Sequence, residues 1–167
     1  DGIVCDESNQ NLWVYTADCM PIFFADKRTR YVAAIHCGRK GLEKGIIRNS
    51  IKIFDKIGSH RKDLVVAIGP SISKENYLVD KKTLKEFYKN ALVKELIPNT
   101  KSNDNKLNSD TFEISKKQAL FQLDLKKHAH LQLIYENIKK TNIEISNICT
   151  FDSKKFFSWR ENKTLFR

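Results

Sequence analysis

The chain has 167 residues, 41% of them hydrophobic, which is enough for one sizeable core and points to a single domain. No run approaches the ~20 apolar residues of a membrane span, no basic-then-apolar stretch opens the chain, and Cys5, Cys19, Cys37 and Cys149 show no C-x-x-C spacing. A cytoplasmic protein with free thiols and no membrane partner is therefore expected. The net charge of +10 is dispersed over pairs such as Lys81-Lys82, Lys116-Lys117, Lys126-Lys127 and Lys139-Lys140. That is the pattern of solvated helix faces, so no nucleic-acid partner is expected, while attraction of a small anionic substrate fits.

In chain order, Leu12 to Tyr15, Pro21 to Ala25 and Tyr31 to Ile35 read as short strands, the last two joined by the turn Asp26-Lys27-Arg28-Thr29. Leu42, Ile46, Ile47, Ile51, Phe54 and Ile57 then form a one-sided helical stripe that Gly58 can end. Leu64 to Ile68 is a nearly continuous apolar strand stopped by Gly69-Pro70-Ser71. Asp80 can cap a helix to about Ile97, with Leu84, Phe87, Tyr88, Leu92 and Leu96 inward and Pro98 as the stop; Asn99 to Asp110 reads as a surface loop. Leu123 to Leu125 reads as a short strand, and Lys126 to Lys140 as a helix with Leu131, Ile134 and Ile138 inward. Ile143 to Phe151 reads as a further strand, and there is no internal repeat. The expected fold is α/β: one domain, residues 1–167, with a mixed β-sheet core flanked by helices.

Two segments stand apart from this pattern. Thr16-Ala17-Asp18-Cys19-Met20-Pro21 and Ala34-Ile35-His36-Cys37-Gly38-Arg39-Lys40-Gly41 place a thiol and an imidazole at the ends of neighbouring apolar runs, just before a glycine-flanked helix start. Such a pair serves as soft metal ligands or as a nucleophile with its base. A buried cysteine and a hydrogen-bonded core histidine are the structural alternatives. Gly38, Arg39, Lys40 and Gly41 form a turn whose unpaired amides and cations suit an anion beside His36.

These two segments, together with Gly69-Pro70-Ser71-Ile72, Tyr77 and Val79, Leu123-Asp124-Leu125, Cys149-Thr150, and Phe156-Phe157-Ser158-Trp159-Arg160, occur in the order found in the YfiH family, and the chain resembles that family over nearly its whole length. The family was first labelled polyphenol oxidase or laccase-domain and is now regarded as zinc-dependent purine nucleoside phosphorylases. The resemblance implies a layered α/β sandwich, zinc in preference to copper, and purine nucleosides of the adenosine and inosine type with phosphate as substrates. It also implies adenosine deaminase and methylthioadenosine phosphorylase side activities. Cys19 and His36 become two of three zinc ligands and catalytic residues. Asp18 becomes a support behind Cys19, and Ser158 and Arg160 become functional positions, Arg160 catalytic and Ser158 in substrate binding.

The family's His-Ala-Gly-Trp-Arg-Gly departs here to Cys37, Arg39 and Lys40. The third zinc ligand, a His in an upstream Gln-x-His-Gly motif, has no counterpart, so the chain reads as lacking the family's N-terminal part and final strand and is expected to hold zinc weakly by itself. Tyr77, Asp124 and Cys149 are expected to be mainly structural. Two other functions stay open: a metal-free cysteine hydrolase or amidase of the kind that edits peptidoglycan precursors, with Cys19 as nucleophile and His36 as base, and an inactive binding module.

Overall fold

The computed structural model describes residues 1–89, 114–115 and 120–162. The described strands are β1 (Gly2–Cys5), β2 (Met20–Asp26), β3 (Val32–Cys37), β4 (Leu64–Ile68), β5 (Leu78–Val79), β6 (Ile114–Ser115), β7 (Leu120–Gln122) and β8 (Ile143–Ile145). The helices are α1 (Arg39–Glu43), α2 (Ile46–Lys56), α3 (Lys81–Lys89), α4 (Leu125–Tyr135) and α5 (Trp159–Asn162). Five strands form one sheet in the order β1-β3-β2-β4-β8, antiparallel except for the parallel pair β4 and β8, so the expected mixed sheet is present. A second, antiparallel sheet in the order β5-β7-β6 was not anticipated.

Period-two alternation decides which side of the large sheet is core. Met20, Ile22 and Phe24 of β2, Ala33, Ile35 and Cys37 of β3, and Leu64, Val66 and Ile68 of β4 are buried in one cluster with Ile47, Ile51 and Phe54 of α2 and Ala129 and Leu133 of α4. The Phe24 and Phe54 rings lie 5.9 Å apart. On the reverse side Phe23 and Val32 are exposed beside a groove of about 510 Å³.

The β2–β3 turn follows from Asp26, whose Oδ1 accepts the amides of Arg28 (2.7 Å) and Thr29 (3.0 Å). That short connection sets an antiparallel register with Met20 opposite Cys37 and Pro21 opposite His36. The start of one strand thus lies against the end of the other.

Several expected elements differ. Leu12 to Tyr15 is not a strand, because β1 already occupies the second edge of β3 from Gly2↔Ile35 to Cys5↔Val32. The stripe from Leu42 to Ile57 is two helices: Gly45 adopts φ 74°, a left-handed conformation that glycine enters without a Cβ penalty and that breaks the ladder between α1 and α2. Leu123 to Leu125 is not a strand either. β7 ends at Gln122, and Asp124 caps α4 by accepting the Lys127 amide at 2.8 Å.

The inner face of α4 is Leu125, His128, Ala129, Gln132 and Leu133 rather than Leu131 and Ile134, since two polar residues hold inward positions and Gln132 donates to the Leu42 carbonyl at 3.3 Å. Ile138 is buried but lies past the helix, which closes at Asn137 (φ 64°) with the Ile138 amide on the Leu133 carbonyl, a Schellman turn. β8 stops at Ile145 instead of running to Phe151, and the chain then turns so that Cys149 bridges Ser71. Asp80 does cap α3, accepting the Thr83 amide at 2.6 Å, with Leu84 and Phe87 buried. Leu92, Leu96, Ile97, Pro98 and the Asn99 to Asp110 loop lie outside the described residues.

Candidate active site

The β2–β3 register brings the residue before β2 against the residue after β3, and these are Cys19 and Gly38. A Cβ built on Gly38 would stand 2.6 Å from Cys19 Sγ and 3.9 Å from His36 Nε2. The thiol and the imidazole therefore converge on the space that glycine leaves open. His36 is half-buried, and burial lowers its pKa, which favours the neutral imidazole with a lone pair to offer. Cys37 faces the core instead; burial, then the neighbouring Cys19, push its thiol up to about 12, so it stays protonated.

Asp18 carries the tightest web of bonds. With φ 84° and 8% of its surface exposed, its Oδ1 accepts the Thr150 hydroxyl (2.7 Å), its Oδ2 accepts the Arg160 amide (2.7 Å), and its carbonyl accepts the Ile72 amide (3.0 Å). Asp18 thus ties three later segments to the entry of β2, two through its carboxylate and one through its backbone carbonyl. Asp18→Ala is expected to cost about 3 kcal/mol, because two bonds to a charged acceptor disappear and alanine resists positive φ. Urea unfolding checks this. Asp18→Asn should cost less, since its amide oxygen can still accept from Thr150.

Around that anchor lies a cationic rim. Arg160 donates from Nη1 to the Leu78 carbonyl (3.0 Å), and its guanidinium sits over the Tyr77 ring, 5.1 Å from the centroid. The Tyr77 hydroxyl pKa is raised by burial, against the pull of Arg39 and Arg160, with Cys19 adding to the rise. Arg39 pairs with Glu43, as does Lys40 at 3.4 Å; Lys40 also lies 4.0 Å from Glu86. Glu43 has 3% of its side chain exposed. This buried acid escaped the sequence reading, although its i,i+4 spacing from Arg39 is a helix-pair signal.

The remaining expected residues are placed as follows. Gly41 lies inside α1, packed near Ile46 and the His36 carbonyl. Since α1 is only five residues long, an anion here would rest on the guanidinium groups more than on aligned helix dipoles. Ser158 is buried, and its Oγ accepts the Glu161 amide at 3.1 Å, capping α5. Cys149 accepts from the Ser73 amide (3.3 Å) and Asn76 Nδ2 (3.4 Å), stitching the segment after β4 to the segment after β8.

As a metal site the donor set is partial. Cys19 and His36 are a borderline-soft pair suited to zinc, and Gly38 leaves space between them, but catalytic zinc takes three protein ligands. Among the described residues no group of three or more His, Cys, Asp or Glu could hold a metal. His128 is no substitute. It is buried against Phe87 and Tyr88, and burial, then Lys127, push its pKa down to about 4.

A mixed α/β sheet with a thiol–imidazole pair at the mouth of two antiparallel strands defines the class of protein, and comparison places it. Residues 1–165 match the family described as multi-copper polyphenol oxidoreductase laccase, and the chain belongs to that family. It is 32% identical over 98% of its length to a purine nucleoside phosphorylase of Synechocystis sp. and, equally, to the purine nucleoside phosphorylase YlmD of Bacillus subtilis, covering 64% and 54% of those proteins. The crystal structure of YlmD from Geobacillus stearothermophilus matches with a TM-score of 0.80 at 27% identity, over 98% of this chain and 56% of that one. YfiH of Bacillus licheniformis gives 0.79 at 28% identity, over 98% and 57%. The chain therefore spans roughly half to two thirds of the length of these relatives. Among the described residues no helix is long and apolar enough to cross a membrane.

Proposed function

We propose that this chain carries the zinc-dependent phosphorolytic site of a cytoplasmic purine nucleoside phosphorylase acting on adenosine- and inosine-type nucleosides. The observation that carries this reading is the convergence of Cys19 Sγ and His36 Nε2 on Gly38, with the Arg39–Tyr77–Arg160 rim alongside. The names of the relatives support purine nucleosides as the substrate class. Cys19 and His36 would hold the zinc, with the third donor supplied from outside the described residues. The metal supplies positive charge that stabilises developing negative charge. Phosphorolysis passes no electrons to a metal, so a redox-inert ion suffices, and zinc is preferred to copper on that ground.

Arg160, Arg39 and Lys40 would bind and orient phosphate. One phosphate oxygen bonds to the ribose anomeric carbon as the glycosidic C–N bond breaks, and the electron pair leaves with the purine nitrogen, which then takes a proton. Gly38 and Gly41 keep the backbone close to the site, Ser158 holds the α5 turn that carries Arg160, and Asp18 fixes that turn to Cys19. Deamination of adenosine and phosphorolysis of methylthioadenosine are the further activities proposed for the same site.

The test is phosphate-dependent release of base from adenosine and inosine by the purified full-length protein with its metal content measured. Arg160→Ala is expected to raise the KM for phosphate about 10-fold or more while changing the nucleoside KM little, because the lost interaction is a charge-assisted one. The substitution keeps the backbone amide that Asp18 accepts. Equal effects on both KM values would remove Arg160 from phosphate binding. The same thiol–imidazole convergence also favours a second reading, a metal-free cysteine hydrolase, and turnover of an amide substrate without metal would select it. An inactive binding module would turn over neither.

A further inference from the structure

Residues 10–15 cross the face of the large sheet that turns away from the core. Gln10, Asn11 and Leu12 border the groove beside Phe23, and Trp13, Val14 and Tyr15 border a second cavity of about 240 Å³. Period-two alternation puts Ala34 and His36 on that face, opposite Ile35 and Cys37, and Ile3, which pairs with Ala34, shares it. All three line the same cavity. His36 therefore belongs to two spaces, this cavity and the gap over Gly38 that it shares with Cys19.

The lining of this cavity is unlike the cationic rim. Among the described residues neither lysine nor arginine lines it, and two of its side chains are aromatic, Trp13 with 83% and Tyr15 with 58% of their surface exposed. A flat, uncharged ring suits such walls, because its π face gains from stacking on an indole or phenol where an anion would gain nothing. The volume lies below the ~300 to 1,000 Å³ of sites for drug-sized ligands, which matches a single heterocycle. Cavity, thiol–imidazole pair and rim also follow one another as β3 passes through His36 and Gly38 into Arg39 of α1. A phosphorolytic complex needs that order: base, anomeric carbon, phosphate. We propose that Trp13 and Tyr15 form a stacking slot for the purine base beside His36. Only the identity of the ring as the base of a nucleoside substrate rests on the phosphorylase reading.

The experiment uses the full-length protein as wild type, Trp13→Leu, Trp13→Phe and Tyr15→Leu. Calorimetry measures binding of hypoxanthine and of inorganic phosphate, and the inosine and phosphate KM values, metal content and thermal midpoint are read alongside. Leucine keeps apolar bulk but has no π face, whereas phenylalanine keeps a ring. Trp13→Leu is expected to weaken hypoxanthine binding about 10-fold, the loss of one stacking surface, and to raise the inosine KM in step, with phosphate affinity, metal content and thermal midpoint close to wild type. Tyr15→Leu acts in the same direction, and Trp13→Phe stays within about 3-fold of wild type. Equal hypoxanthine affinity in wild type and Trp13→Leu overturns the proposal, as does equal weakening in Trp13→Leu and Trp13→Phe, or a wild type that binds no base. A Trp13→Leu variant with a much lowered thermal midpoint overturns it too, since Trp13 is then a packing residue for the rest of the longer protein. Weakened hypoxanthine binding in Trp13→Leu without base release from any nucleoside upholds the slot and overturns the phosphorylase reading instead.

Discussion

Replacing Cys19 with serine is expected to abolish metal retention and nucleoside phosphorolysis together. A thiolate is a soft, anionic ligand at neutral pH, whereas a serine hydroxyl keeps its proton and binds zinc far more weakly; with His36 as the other donor proposed on this chain, the loss should lower affinity by at least about 100-fold. The fold should survive, because serine is nearly isosteric with cysteine and Cys19 is only half-buried at the margin of the sheet. Metal analysis after desalting and a base-release assay read the two losses independently. If activity disappears while zinc stays stoichiometric, Cys19 is a nucleophile and the hydrolase reading replaces the phosphorylase one.

The pairing of Cys19 with His36 was legible in the sequence because it depends on local order. Two apolar runs joined by a short turn make an antiparallel pair, and the residue that opens the first strand then faces the residue that closes the second. What surrounds the pair was not legible in the same way. Asp18 meets Thr150 and Arg160 across 132 and 142 residues, and Tyr77 meets Arg160 only because the segments after β4 and β8 fold back together. No periodicity encodes such contacts. The inner face of α4 was misread for a different reason: His128 and Gln132 are buried polar residues, so the apolar spacing of Leu131 and Ile134 pointed to the wrong side. Gly45 was a visible interruption in the stripe from Leu42 to Ile57, but a glycine within a helical pattern is often tolerated, and only its positive φ shows the break.

Gly38→Ala is expected to dismantle the site while leaving the fold intact. Gly38 has φ −84° and ψ 178°, a conformation open to any residue, so alanine meets no backbone strain there. The added methyl would instead lie 2.6 Å from Cys19 Sγ, well inside contact distance. Cysteine has a single side-chain torsion with which to escape, and its Cβ is held 3.6 Å from the same point, so the sulfur must swing away from the space it shares with His36 Nε2. Displacing one donor by about 1 Å or more is enough to cost roughly 100-fold in activity where geometry sets the rate, and the metal should be lost with it. The cost to folding is that of local overpacking, about 1–3 kcal/mol, just past the end of β3 rather than in the cluster around Phe24 and Phe54. Thermal melting with metal analysis and base release tests this. A variant that melts near wild type without metal or turnover meets the expectation; one that keeps full metal and full activity shows that Cys19 and His36 do not act through the space above Gly38.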